Sequence, residues 1–89
     1  MTETIDISGA LSPHQTAIWN KLCDGEAGVV ALFAETAKLD AAYRFSYPSH
    51  REMQQRIGSK ITHINRKVAE AGYKIVPGEQ RRTYRIIKI

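Results

Sequence analysis

The chain has 89 residues, of which 43% are apolar and 25% charged, with a net charge of +4 and a single cysteine. This length allows one domain with one modest core, and the composition is that of a globular protein rather than a disordered one. One cysteine excludes an internal disulfide and a thiolate-rich metal site, so we expect Cys23 to be a buried core thiol.

The positive charge is concentrated in the C-terminal part of the chain. Residues 1–49 carry three Lys or Arg against six acidic residues, a net charge of −3, whereas residues 50–89 carry ten against three, a net charge of +7. Segregated positive charge is typical of phosphate binding, because each neutralised phosphate releases condensed counterions. No stretch approaches the ~18 apolar residues of a membrane span and no signal sequence is evident, so we expect a cytoplasmic protein that does not bind membranes.

The first predicted helix covers residues 12–24 and has the clearest start signal in the chain. Ser12 is placed as its N-cap, Pro13 occupies the first turn, and Gln15 completes a capping box. Its expected buried stripe consists of Ile18, Trp19, Leu22 and Cys23. Ahead of it, residues 1–10 are predicted to form a strand or a tail, because polar and β-branched side chains alternate there.

A second helix is predicted over residues 29–39, an alanine-rich stretch with apolar side chains at helical spacing. The Gly-Val-Val sequence at its start is alternatively a short strand. Residues 40–48 lack a helical period and end at a proline, so we interpret them as a loop whose aromatic side chains pack on the core. The aromatic residues are Tyr43, Phe45 and Tyr47. An alternative interpretation is that they stack on the bases of a single-stranded nucleic acid.

A third helix is predicted over residues 49–72, starting with Ser49 and Glu52 as a second capping box and ending at Gly72 as C-cap. Apolar residues recur every three or four positions and predict one buried stripe. The stripe consists of Met53, Ile57, Ile61, Ile64 and Val68. Gly58 either separates two helices or lies within one long helix, and the unchanged phase of the stripe across it favours the long helix.

The opposite face of this helix offers hydrogen-bond donors and positive charge. A mixed polar face is common on solvated helices, but here a basic hairpin follows directly over residues 73–89, with a Pro-Gly turn at its tip. A basic helix that leads into a basic hairpin is typical of a winged helix-turn-helix domain. We therefore predict an α+β fold with one winged-helix domain over residues 1–89, in which three helices are followed by a C-terminal β-hairpin wing.

Two regions of the chain carry a family pattern. One comprises residues 61–68 (ITHINRKV), then Gly72, Ile75 and residues 83–86 (TYRI); the other comprises Leu-Ser-Pro at residues 11–13 and Gly-Val-Val at residues 28–30. In this order and separation they resemble the recognition helix, the wing and the first two helices of OmpR/PhoB-type winged-helix effector domains. The similarity extends over roughly residues 11–87. His63 and Asn65 stand where that family often has arginine, and Thr83 replaces its wing glycine.

The resemblance implies sequence-specific binding of double-stranded DNA, by a homodimer or by tandem copies, in transcription regulation. Because only about ten residues precede the first helix, we expect a free-standing unit without a receiver domain. Carried over by position, the contacting face falls on Thr62, His63, Asn65, Arg66 and Lys67, and the wing contact falls near Arg81 and Arg82. The full set of predicted DNA-binding residues is Arg56, Ser59, Lys60, Thr62, His63, Asn65, Arg66, Lys67, Arg81 and Arg82.

Side-chain chemistry divides this set into two roles. Arg66 is suited to guanine, and Thr62 to a thymine methyl group or a phosphate. Asn65 is suited to adenine if it points into the groove, although its helical angle places it beside the apolar stripe. Phosphate contacts, which fix the position of a protein on the duplex without reading its sequence, are expected from Lys60, Lys67, Arg81 and Arg82.

Catalysis and metal binding are not expected. The three histidines are isolated from one another and from carboxylates at ligand spacing, and no nucleophile–base pair or glycine-rich phosphate loop is present. We therefore expect neither an enzyme nor a cofactor, metal or small-molecule substrate. Two alternatives to duplex binding stay open: a winged-helix module that binds another protein, and a single-strand binder that uses the aromatic residues at positions 43–47.

Overall fold

The computed structural model of the protein describes residues 11–40 and 46–89. Within these residues it has three α-helices and a three-stranded antiparallel sheet, which confirms the predicted α+β class. The elements are α1 (Pro13–Cys23), β1 (Ala27–Gly28), α2 (Val29–Ala37), α3 (His50–Val68), β2 (Tyr73–Pro77) and β3 (Thr83–Lys88). The strand or tail predicted at residues 1–10, and the loop positions Tyr43 and Phe45, lie outside the described residues.

The start of α1 is the predicted capping box. The Ser12 hydroxyl accepts the Gln15 N–H at 3.3 Å, and Oε1 of Gln15 accepts the Ser12 N–H at 3.2 Å. Pro13 lies in the first turn. N–H groups in the first turn have no acceptor within the helix, so the lack of an N–H in proline costs no hydrogen bond there. Local sequence therefore determines where this helix begins.

The second helix is shorter than predicted. It ends at Ala37 rather than Leu39, because the last N–H groups bond three residues back, Leu39 to Thr36 at 3.0 Å and Asp40 to Ala37 at 3.1 Å. The strand considered for its opening does exist, but it lies at Ala27–Gly28 and the helix begins directly after it.

The third helix is continuous from His50 to Val68 and contains Gly58, as the phase of its apolar stripe indicated. Ser49 caps it by accepting the Glu52 N–H at 3.2 Å. The helix proper ends before the predicted Gly72, since a 3₁₀ helix over Ala69–Ala71 follows it. Gly72 then reverses the chain at φ 86°, a left-handed conformation that glycine adopts without steric cost.

The core lies between the three helices and the inner face of the sheet. All five stripe residues of α3 are buried, together with Leu32 and Phe33 of α2 and Trp19 of α1. Burial of each large apolar side chain stabilises the fold by about 1.5–3 kcal/mol, so α3 is fixed in rotation by its stripe. Its opposite face must then point away from the core.

Cys23 differs from the prediction. It is partly buried and packs against the edge of the core rather than inside it, because it is the last residue of α1. Burial, and secondarily the charge of Asp24, raises the pKa of its thiol.

The sheet places β3 between β1 and β2. In the β2–β3 hairpin Ile75 is paired with Ile86 and Pro77 with Tyr84, while β1 adds Ala27 beside Tyr84 on the other edge of β3. Ile75 is buried against the helices. The hairpin therefore stands beside α3, and its tip, residues 78–82, lies next to β1.

Candidate nucleic-acid interface

The outward face of α3 carries most of the predicted contact residues. Arg56, Ser59, Thr62, His63, Arg66 and Lys67 are exposed, whereas Lys60 and Asn65 are half-buried. Their rotation follows from the buried stripe on the other side of the same helix. The exposed residues thus share one face of α3. One flank of this face lies next to the hairpin and the other next to α1.

One flank of α3 packs against the hairpin through Asn65. Its amide nitrogen donates to the Ile75 carbonyl at 3.0 Å, and its amide oxygen accepts the Ile75 N–H at 2.7 Å. Both ends of the amide are therefore bonded to β2. This corrects the prediction that Asn65 pairs with adenine, because an amide that binds the protein backbone in this way is not available to a base.

The other flank of α3 faces α1 through Lys67. Its Nζ donates to Oε1 of Gln15 at 2.8 Å, on the same oxygen that accepts the Ser12 N–H. Lys67 stays exposed while bonded, so its positive charge remains at the surface. This contact joins α3 to the start of α1 and holds the end of the Lys67 side chain beside Gln15.

Two other predicted residues make contacts within α3. Arg56 lies 3.8 Å from Oε2 of Glu52, one turn earlier, and both side chains are about half exposed. Exposed pairs of this kind contribute little to stability, typically below about 1 kcal/mol. The Thr62 hydroxyl donates to the Gly58 carbonyl at 3.1 Å, which still leaves its methyl group free for contact.

The hairpin tip and α3 line a common groove. This open groove of about 610 Å³ is lined by Gln54 and by residues 77–84, which include Arg81 and Arg82. The two arginines are thus beside the first half of α3. Arg66 lies twelve residues beyond Gln54, or about 18 Å along the helix axis at 1.5 Å per residue.

Glu26, which the sequence analysis did not select, organises the hairpin tip. Its carboxylate accepts the N–H of Glu79 at 3.0 Å and the N–H of Gln80 at 3.2 Å. The Thr83 hydroxyl lies 2.9 Å from Oε2 of Glu26 and 2.6 Å from the Gln80 carbonyl, so it donates to either one. Hydrogen bonds from Glu79, Gln80 and Thr83 lower the pKa of Glu26 in that order of importance.

A second anchor joins the tip to the start of α2. The Val29 N–H donates to the Arg82 carbonyl at 3.0 Å, and Arg82 has a left-handed backbone with φ 61°. Glu26 and Val29 lie directly before and after β1. Both sets of contacts with the hairpin tip therefore come from residues next to this two-residue strand. The positions of Arg81 and Arg82 are therefore set by contacts from a distant part of the chain.

Tyr47 is the only one of the three loop aromatics within the described residues. Its ring meets Phe33 edge to face, with centroids 5.3 Å apart and an angle of 66° between the planes. It remains 46% exposed. The contact agrees with the packing role that the loop pattern predicted for this residue.

Gln54 and Glu26 are the two site residues that the sequence analysis missed. Gln54 borders the buried stripe by its helical position, so the helical period does not select it, and its exposure is seen only in the structure. Glu26 has no comparable signal, because its partners lie more than fifty residues away in sequence.

Comparison of the chain with family models, curated proteins and solved structures finds no match. No helix within residues 11–40 and 46–89 is both long enough and apolar enough to cross a membrane.

Proposed function

We propose that this chain is a winged-helix protein that binds double-stranded DNA with sequence specificity and acts in transcription regulation in the cytoplasm. The arrangement supports this reading: α3 is the recognition helix, and the β2–β3 hairpin that follows it is the wing. The resemblance to OmpR/PhoB-type effector domains agrees with the same order of elements. We treat the tandem or homodimeric arrangement on DNA as part of this proposal.

The observation that carries the proposal is the positive charge exposed on α3 and at the hairpin tip, two elements that line a common groove. The cationic residues are Arg51, Arg56, Lys60, Arg66, Lys67, Arg81 and Arg82. Six of the seven are exposed and Lys60 is half-buried. Exposed positive charge of this kind suits phosphate groups, and the major groove, about 12 Å wide, admits one helix.

The two flanks of α3 suit the two walls of a major groove. In this arrangement the outward residues Ser59, His63 and Arg66 are directed to base edges. The flank of α3 with Lys60 and Lys67 then faces one sugar-phosphate strand. The opposite flank, with Gln54, faces the other strand and continues into Arg81 and Arg82 at the hairpin tip. Thr62 lies between the base-reading face and the hairpin side.

Salt dependence is the test of this function. Binding to a duplex selected from a random pool is measured by fluorescence anisotropy at several salt concentrations. If the cationic residues of α3 and the hairpin tip neutralise about five phosphates, the slope of log K against log salt is about −4 to −5. A slope near zero, or no duplex binding at low salt, would reject DNA binding and leave the protein-interaction alternative.

Charge reversal locates the binding face. Arg81→Glu should weaken duplex binding strongly, whereas Lys38→Glu, the same change of charge at an exposed position beyond α2, should leave it nearly unchanged. Equal losses from both variants would indicate a general effect of net charge rather than a binding surface.

A further inference from the structure

Gly58 is the feature of α3 that folding does not explain. It lies inside a helix of nineteen residues, where glycine is less stable than alanine because its backbone loses more conformational freedom. A Cβ added there would meet no heavy atom within 4 Å among the residues that the structure describes, apart from the helix's own backbone. Packing among residues 11–40 and 46–89 therefore does not require the absence of a side chain.

Gly58 lies on the side of α3 that faces the hairpin. It follows Gln54 by one helical turn and precedes Thr62 by one turn, so the three share a flank. Gln54 lines the groove opposite Arg81 and Arg82. Asn65, on the same flank, is bonded to β2, which fixes this side of the helix toward the hairpin.

We infer that Gly58 is the point where one sugar-phosphate strand of duplex DNA comes against the main chain of α3. This inference rests on the proposed DNA binding and adds the place of closest approach. Glycine permits such an approach because no side chain separates a ligand from the backbone. The strand then passes between Gln54 on the helix and the arginines of the hairpin tip, which supply charge to its phosphates.

The inference predicts opposite effects on stability and on binding. Gly58→Ala should raise the melting temperature by about 2 to 6 °C, since alanine is the better helix former and a domain of this size gains several degrees for a modest stabilisation. The same variant should weaken duplex binding about tenfold, and Gly58→Leu about a hundredfold. Selected and random duplexes should lose affinity alike, because a backbone contact reads no sequence.

The control is Asn20→Leu, which places the same leucine side chain at an exposed position of α1. It should leave duplex affinity within twofold of the wild type. A stabilised Gly58→Ala variant together with a folded Gly58→Leu variant that both bind like the wild type would overturn the inference while leaving DNA binding intact. Failure of the wild type to bind any duplex would overturn both.

Discussion

Asn65 and Ile75 form a two-way contact that joins α3 to the hairpin: the Asn65 amide donates to the Ile75 carbonyl at 3.0 Å and accepts its N–H at 2.7 Å. The N–H and carbonyl groups of one strand residue normally bond to a neighbouring strand. Here a side chain on a helix takes that place, at the edge of β2 that β3 does not occupy. The contact thereby fixes the angle between the proposed recognition helix and the wing.

Replacing Asn65 should therefore reduce stability. Asn65→Ala leaves two partly buried backbone groups of Ile75 without their partner, and we expect a loss of about 1–3 kcal/mol in the free energy of unfolding. Urea unfolding followed by circular dichroism measures this loss. Thr62→Ala is the control, since its hydroxyl bonds to the Gly58 carbonyl within an exposed turn of the same helix. An Asn65→Ala variant with unchanged stability and a specific loss of adenine preference would restore the base-reading role that the sequence suggested.

The Glu26 contacts predict a pH-dependent hairpin tip. The pKa of Glu26 is lowered in the folded chain, so its contribution to stability is present above the ordinary pKa of a glutamate and is lost as pH falls through the lowered value. We expect amide exchange at Glu79 and Gln80 to accelerate, after correction for intrinsic rates, over that acidic range. Hydrogen exchange measured by NMR tests this.

A variant provides the same test at neutral pH. Glu26→Gln removes the charge and one of the two accepting oxygens, so exchange at Glu79 and Gln80 should be fast without acidification. Glu70→Gln, at an exposed position in the 3₁₀ helix, is the matched control and should leave both amides protected. Protection that persists in Glu26→Gln would mean that the tip is held by other contacts.

Gly78 at the hairpin tip should not tolerate a side chain. An added Cβ would collide with the carboxylate of Glu26 and with the Thr83 hydroxyl, so we expect Gly78→Ala to destabilise the protein by about 1–3 kcal/mol. Chemical denaturation measures the loss. In combination with Glu26→Ala the additional cost of Gly78→Ala should shrink, because one of the colliding groups is gone. Full additivity of the two changes would contradict the collision.

Arg66 and Lys67 should differ in what they contribute to DNA binding. Arg66→Ala should cost about 1–3 kcal/mol on the selected duplex and relax the preference at one base pair, since arginine reads guanine with two hydrogen bonds. Lys67→Ala should weaken selected and random duplexes alike and reduce the salt slope by about one. Competition binding with the two kinds of duplex distinguishes them. Parallel losses on both duplexes for both variants would contradict this division.

Local signals predicted much of this fold. The capping residues Ser12 and Ser49 fixed the starts of two helices, and the apolar stripe of α3 determined which of its faces is outward and that it continues through Gly58. Such signals need only neighbours within a few residues, so they can be read from one sequence. The Pro-Gly turn predicted the β2–β3 hairpin for the same reason.

The contacts that shape the candidate interface were not predictable in this way. Strand β1 has two residues, too few for a periodic pattern, and its neighbour Glu26 finds partners that are distant in sequence. The helical angle places Asn65 beside the apolar stripe, but it does not reveal that β2 passes there and bonds its amide. The contacts of Glu26 and of Asn65 depend on how separate elements pack. A residue pattern within one element carries no information about that packing.

The most direct test of the central claim is chemical-shift mapping by NMR during titration with a selected DNA duplex. We predict that the largest amide changes cluster on the outward side of α3, from Arg51 to Lys67, and at residues 79–82 of the hairpin tip. Small changes are expected on α2 around the exposed Val30. Changes centred on Val30 and Leu39, or no change in either α3 or the hairpin tip at saturating duplex, would contradict the account.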